Sequence, residues 1–213
     1  MSPTMIRAGR TATALRSHAL PHRPQIIVVG ASAGGVEALQ TLVSGLPRGL
    51  PAAVFVVLHT ASIESHVADV LNRNGNMAAL YASNALPVAH GRIYVARPNL
   101  HLTLQDQHMW LDSGPKVNRS RPAIDPLFQS AAKSYGSRVI GVLLTGYLDD
   151  GSAGLAAIKN HGGIAIVQDP RDAYAPEMPR TALRLIKVDH CLPITEIAPL
   201  LVKLVRGEEK GRK

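Results

Sequence analysis

Apolar residues fall into two kinds of run along this chain. The first kind is short, continuous and rich in β-branched side chains: 25–30 (QIIVVG), 53–58 (AVFVVL), 139–144 (VIGVLL) and 164–167 (IAIV). Runs of that length, bounded by Gly or Pro, predict strands buried on both faces. The second kind repeats with helical spacing. Val36, Leu39, Leu42, Val43 and Leu46 line one face of a helix. Val67, Val70 and Leu71 line a second, which Ser62 or Ser65 would cap and which ends near Asn72. Helices are predicted likewise over 125–135, over 152–160 with His161-Gly162-Gly163 closing it, around 180–185 after a proline-rich loop at 169–179, and from Thr195 or Glu196 to Val205.

The middle of the chain reads differently. Segments 92–96 (RIYVA), 100–104 (LHLTL) and 108–112 (HMWLD) are short and alternating, with Pro98-Asn99 and Asp106-Gln107 between them. That pattern predicts antiparallel hairpins, followed by a polar loop at 113–121. Elsewhere strand and helix alternate and the strands are continuous apolar runs. The expected fold is therefore α/β: a doubly wound, mostly parallel sheet with helices on both faces and a small antiparallel hairpin insertion.

Composition narrows the class. The chain has 213 residues, 46% apolar and 18% charged, a globular balance that suits one domain. The longest apolar run, 51–58, is far shorter than the ~18 residues of a membrane helix, so no membrane insertion is expected. One cysteine, Cys191, permits no internal disulfide and fits a reducing compartment. The formal charge is +8, but its placement matters. Residues 1–24 hold four arginines and no acid, and 203–213 hold five basic residues against two acids. The segment 25–202 keeps fourteen basic and thirteen acidic residues, close to neutral, and the whole chain has only eight aromatic residues. A nucleic-acid platform in the folded part is not expected. The organisation expected is a disordered basic tail over 1–24, a folded domain over 25–205 and a charged tail over 206–213. The tail composition overlaps with that of an organelle transit peptide, but an unstructured end is the plainer reading.

Open parallel sheets place their sites beyond the carboxyl ends of the strands. Ser32 follows the first strand, His59 the second, Thr145 to Asp150 the third and Gln168 to Arg171 the fourth. A hydroxyl, an imidazole and a carboxylate thus share one sheet edge. Serine hydrolysis needs that combination, because the hydroxyl is a poor nucleophile until an imidazole takes its proton, and the imidazole needs a carboxylate to hold its tautomer and its charge. The sequence 30–34 (GASAG) fits G-x-S-x-G between a strand and a helix. Alone it reads rather as a tight turn with Ser32 capping the helix. His59 alone reads rather as a packed, hydrogen-bonded histidine, and Asp149-Asp150 as a helix cap or a metal or acid/base dyad; it is their joint placement with Ser32 that points to catalysis. No zinc-type His/Cys spacing and no EF-hand pattern is present. A nucleotide loop is the rival, but 30–35 reads G-x-x-x-G-G and not G-x-G-x-x-G, and His59 stands where an acid would be expected.

Six segments, in order, resemble the catalytic domain of chemotaxis protein-glutamate methylesterases, the CheB family: 27–35 (IVVGASAGG), 57–59 (VLH), 91–102 (GRIYVARPNLHL), 121–131 (RPAIDPLFQSA), 143–154 (LLTGYLDDGSAG) and 168–182 (QDPRDAYAPEMPRTA). The resemblance covers about 25–204. It implies a triad of Ser32, His59 and Asp150, with Asp150 preferred to Asp149 because it immediately precedes Gly151. It also implies backbone oxyanion donors near Ala33, Gly34 and Tyr147, and brings the loops of Arg97, His101, Arg171 and Arg180 toward the catalytic edge. The implied reaction is hydrolysis of glutamate γ-methyl esters on the cytoplasmic region of a methylated receptor, with deamidation of receptor glutamine by the same route, in the cytoplasm and with no metal or organic cofactor. Two departures stand out: Ala33 where the family often has threonine, and Tyr147-Leu148 where it often has Met-Gly. Only 24 residues precede the first strand, too few for a receiver domain, so the expectation is a stand-alone effector whose regulator, if any, is a separate protein. The alternative is a catalytically silent module on the same fold that binds a receptor or signalling protein.

Overall fold

The computed structural model describes residues 25–59 and 66–208. The expected tail at 1–24, the expected caps Ser62 and Ser65, and most of the expected C-terminal tail lie outside the described residues.

Along the chain the elements are β1 (Ile26–Ala31), α1 (Gly35–Ser44), β2 (Ala53–Leu58), α2 (Val67–Asn74), β3 (Ala78–Tyr81), β4 (Leu86–Pro87), β5 (Arg92–Val95), β6 (His101–Gln105), β7 (His108–Asp112), α3 (Ile124–Tyr135), β8 (Val139–Leu143), α4 (Ser152–Asn160), β9 (Ile164–Gln168), α5 (Glu177–Leu185), β10 (His190–Leu192) and α6 (Ile194–Arg206). Seven strands form one sheet in the order β10-β9-β8-β1-β2-β5-β3, every pair parallel. Strands β4, β7 and β6 form a small antiparallel sheet.

Alternation along the strands divides the core in two. Ile27, Val29 and Ala31 of β1, with Val54, Val56 and Leu58 of β2, pack toward Leu39, Leu42 and Val43 of α1 and Ile197 and Leu201 of α6. Ile26 and Val28, with Phe55 and Val57, pack on the other face with Ile124, Leu127 and Phe128 of α3 and Leu155 of α4. Each strand of the centre is buried on both sides, as its unbroken apolar run requires.

The hairpin expectation needs one correction. Segment 92–96 does not pair as a hairpin: β5 lies in the parallel sheet between β2 and β3. Its three consecutive buried residues, Ile93, Tyr94 and Val95, mark a strand covered on both faces, and Tyr94 stacks on Phe55 with ring centroids 5.2 Å apart. Only β6 and β7 form the hairpin, joined through Asp106 and Gln107, both with positive φ. Strands β3, β4 and β10 are additional to those expected. Helix α5 begins at Glu177, so Pro179 falls in its first turn, where proline removes no hydrogen bond that the helix would make. Gly207, with φ 70°, closes α6 one residue beyond its expected end.

Chain order and sheet order diverge at β1. From β1 the chain passes to β2 on one side and returns much later as β8 on the other. The crevice beyond β1 is thus a topological switch point, where doubly wound sheets hold their sites.

Candidate active site

Ser32 leaves β1 at this switch point. Its amide donates to the Thr145 carbonyl (2.9 Å), and the His59 amide donates to the Ala31 carbonyl (3.0 Å). Ser32 therefore sits between the ends of β8 and β2, about one strand spacing, ~4.8 Å, from the backbone of His59. The chain then turns into α1 through Gly34, whose φ of 72° suits glycine. A Cβ there would also lie 2.5 Å from Cβ of Tyr174.

His59 is one residue beyond Leu58, which faces the α1 side, so its ring faces α3. There Nε2 meets Oδ2 of Asp150 at 2.8 Å, and the imidazole side chain is 16% exposed. Asp150 is 2% exposed. Its Oδ2 also accepts the Ile124 amide at 2.7 Å; its Oδ1 accepts the Asp125 amide at 3.1 Å and Nδ2 of Asn118 at 2.8 Å. The first two amides open α3, whose N-terminal dipole favours a carboxylate. Burial pushes the Asp150 carboxyl up, but hydrogen bonds from His59, Ile124 and Asn118, with the charge of the imidazole, outweigh it and hold the group below its ordinary value. An ionised Asp150 accepts, so Nε2 of His59 donates in this contact. No hydrogen bond joins the Ser32 hydroxyl to the imidazole among the described residues; such contacts commonly tighten only with substrate bound.

Of the amides at the nucleophile turn, that of Gly35 is committed to the Ser32 carbonyl (2.8 Å). The amides of Ala33, Gly34 and Tyr147 donate no hydrogen bond among the described residues. Thr145 braces the turn: its Oγ1 donates to the Ala33 carbonyl and accepts the Ala175 amide, both at 2.8 Å, while its own amide donates to Oε1 of Gln168 at 2.9 Å. The outer rim is apolar. Tyr147 and Leu148 are 56% and 48% exposed, and Tyr174 is 78% exposed over Gly34. Leu148 holds φ 66°, the backbone a glycine would adopt without strain. A cavity of about 460 Å³ opens beside the turn, lined by Gly34, Glu37 and Tyr174. A larger one, about 560 Å³, lies at the far end of α3 and contains none of these residues.

The structure thus brings His59 and Asp150 into contact beside Ser32 and leaves Asp149 exposed. His101 also reaches the neighbourhood, though not the reacting groups. Its Nδ1 accepts the Ala123 amide (3.2 Å) and its Nε2 donates to the Pro115 carbonyl (3.0 Å). The three arginines are engaged elsewhere or face solvent. Arg97 donates to the Ala82 carbonyl and covers the Tyr81 ring, Arg171 pairs with Asp169, and Arg180 is exposed on α5. Among the described residues no cluster of three or more His, Cys, Asp or Glu side chains is arranged to hold a metal ion. Sequence reasoning gave no role to Thr145, Asn118 and Asp125. The first follows β8 in a row already scanned for chemistry, Asn118 lies in a loop with no motif of its own, and Asp125 falls in the family-like segment 121–131 but was read only as the start of a helix.

The chain as a whole has known counterparts. The family model for CheB methylesterase matches residues 27–201. A Leptospira interrogans protein named for protein-glutamate methylesterase and protein-glutamine glutaminase activity is 38% identical over 190 residues, 88% of this chain and 98% of that one. An Anaeromyxobacter dehalogenans protein named for the same two activities is 38% identical over 185 residues, 86% of this chain; there the chain spans about half of the relative, 54%. The crystal structure of the Thermotoga maritima CheB methylesterase catalytic domain superposes with a TM-score of 0.83 at 32% identity, covering 85% of this chain and 99% of that one. With the family model matched over 27–201, a relative aligned along 98% of its own length and a catalytic-domain structure superposing over 85% of this chain, this chain belongs to the CheB methylesterase family.

Proposed function

We propose that the protein is a protein-glutamate methylesterase, a serine hydrolase acting on glutamate γ-methyl esters of a receptor's cytoplasmic region. The observation that carries this reading is the 2.8 Å contact between Nε2 of His59 and Oδ2 of Asp150, set beside Ser32 at the switch point. Nδ1 of His59 takes the Ser32 proton as Oγ attacks the ester carbonyl. The Ala33 and Gly34 amides, whose hydrogens are uncommitted, face the developing oxyanion, with Tyr147 as a third donor. The imidazolium, held by Asp150, returns its proton to the departing methoxide, and methanol leaves. Water, deprotonated at the same nitrogen, then releases the glutamate side chain and regenerates Ser32. The route uses no metal or organic cofactor.

A second reaction follows from the same geometry. If a glutamine side chain occupies the site, the proton passes to the leaving nitrogen and ammonia departs in place of methanol. The two relatives' names, which pair methylesterase with glutaminase, favour this reading. The exposed rim of Tyr147, Leu148 and Tyr174 suits a broad macromolecular substrate better than a small enclosed one. Action on a receptor's cytoplasmic region places the protein in the cytoplasm, and no helix among the described residues is long and apolar enough to cross a membrane. Control of the activity by a separate protein belongs to the same proposal.

The deciding experiment compares methanol release from a methyl-labelled receptor fragment by the wild type and by Ser32→Ala. The expected outcome is release by the wild type and a loss of roughly three orders of magnitude or more in the variant. Equal release by both would overturn the assignment of the nucleophile. Binding of the fragment by both with turnover by neither would favour a silent binding module.

A further inference from the structure

The segment between β7 and α3 is not a passive connection. It is strapped at both ends: Arg121 donates through Nη1 to the carbonyls of Ser113 and Gly114 (both 2.6 Å) and through Nε and Nη2 to Oδ1 of Asn99 (3.0 and 2.7 Å). The ring of His101 spans Pro115 and Ala123. A backbone pairing of Val117 with Ser120 closes its tip. At that tip Asn118 adopts φ 48°, a left-handed conformation that asparagine tolerates well. Its Nδ2 lies 2.8 Å from Oδ1 of Asp150 and 2.8 Å from Oδ2 of Asp125. One neutral amide thus gives a hydrogen to each of two neighbouring carboxylates. Asp125 is fixed from behind by the Gly154 amide at 2.7 Å.

We propose that Asn118 is a positioning residue of the hydrolytic site: its amide, anchored on Asp125, holds the Asp150 carboxylate in the orientation that aims His59 at Ser32. This rests on the triad reading given above. Two carboxylates this close repel unless a donor sits between them, and a carboxylate free to turn would let the imidazole turn with it. The ionisable groups facing the Asn118 amide are Asp150 and Asp125, with His59 behind Asp150; His101 faces the loop backbone only.

The test uses three variants of the full chain and two readouts. Asn118→Gly removes the amide while keeping a residue that accepts the left-handed backbone. Asn118→Asp keeps the size and offers a donor only when its carboxyl is protonated. His59→Ala assigns the spectrum. The first readout is the rate at which a fluorophosphonate labels Ser32: the Oγ–P bond forms, the P–F bond breaks, fluoride leaves and His59 takes the proton. The second is the far-downfield proton resonance of the His59–Asp150 hydrogen bond, identified by its loss in His59→Ala.

Asn118→Gly is expected to slow labelling about tenfold to a hundredfold, the cost of a misdirected catalytic group, and to move the resonance. Asn118→Asp is expected to be slower than the wild type at neutral pH and to recover relative to it as the pH falls, which a purely structural role would not produce. An unchanged labelling rate in Asn118→Gly, or an unmoved resonance, overturns the proposal. A wild type that does not label at all overturns the hydrolase reading instead, and the resonance still decides whether Asn118 positions Asp150.

Discussion

A carboxylate shut away from water costs several kcal/mol unless donors surround it, and Asp150 has four N–H groups on its two oxygens. Those donors make the charge tolerable and its direction unique. Asp150→Asn keeps the volume but points an amide at groups that need an acceptor. Turnover is expected to fall by about four orders of magnitude, measured as methanol release, because the imidazole is left in the wrong tautomer. The same donors tie stability to pH. The folded state holds the Asp150 carboxyl below its ordinary value, so its contribution is complete above the unfolded value of about 3.9 and is lost as pH falls through the lower, folded one. The gap between the urea midpoints of wild type and Asp150→Asn should therefore narrow below about pH 4. The placement of Ser32 and His59 at one sheet edge was legible because each follows an unmistakable strand. The choice of Asp150 over Asp149 was not legible from spacing; it came from resemblance, and the geometry separates them by burial, with one carboxylate nearly inaccessible and the other exposed. Asn118 was illegible for a different reason. Its role depends on where a loop folds back across 32 residues of chain, and no local periodicity records that.

At the level of elements, the site depends on how closely α4 lies on α3. A Cβ on Gly154 would sit 2.4 Å from Cβ of Phe128 and 3.1 Å from Oδ1 of Asp125. Gly154→Ala should push the helices apart, cost about 1–3 kcal/mol in thermal or urea unfolding, and weaken the Gly154–Asp125 hydrogen bond. The loop before α4 offers the opposite case. Leu148 holds a left-handed backbone and half of its surface is exposed, so its side chain gives little packing in return. Leu148→Gly is expected to stabilise the fold by about 0.5–1 kcal/mol, read as a raised melting temperature. Elements with a full apolar run or a full helical repeat were legible: β1, β2, β8, β9, α1 and α4 lie within a residue or two of their expected bounds. Those set by neighbours were not. Strand β5 looks like a hairpin arm by length and composition, and only its place between β2 and β3 makes it a parallel strand. Strand β10 has three residues and takes its conformation from pairing with β9.

At the level of the molecule, the sheet joins distant parts of the chain. Strand β1 pairs with β2 nearby and with β8 far away, Ile26 lying opposite Val139. Long-range parallel pairing of this kind slows folding, and refolding is expected on the millisecond-to-second scale or slower. Recovery of esterase activity should coincide with recovery of far-ultraviolet circular dichroism in a stopped-flow or manual-mixing experiment, because on the proposed triad Ser32 and His59 follow β1 and β2, Asp150 lies in the loop between β8 and α4, and the three meet only once β8 is in place. Activity returning well before the sheet signal would contradict that dependence. The overall architecture was legible because an alternation of buried strands and helices admits few arrangements, whereas the order of strands at both sheet edges was not, since β3 and β10 are short and their pairing is non-local. The central place of β1 also bears on synthesis. A ribosome delivers Ser32 and His59 early, but Asp150 and β8 only after more than half the chain has emerged. Until then one side of β1 offers unpaired backbone to whatever strand comes first. On the proposed triad, a growing chain of this protein is therefore both catalytically inert and open to wrong partners until β8 arrives; the docking of β8 on β1 closes the open edge and brings the loop that carries Asp150 to the site.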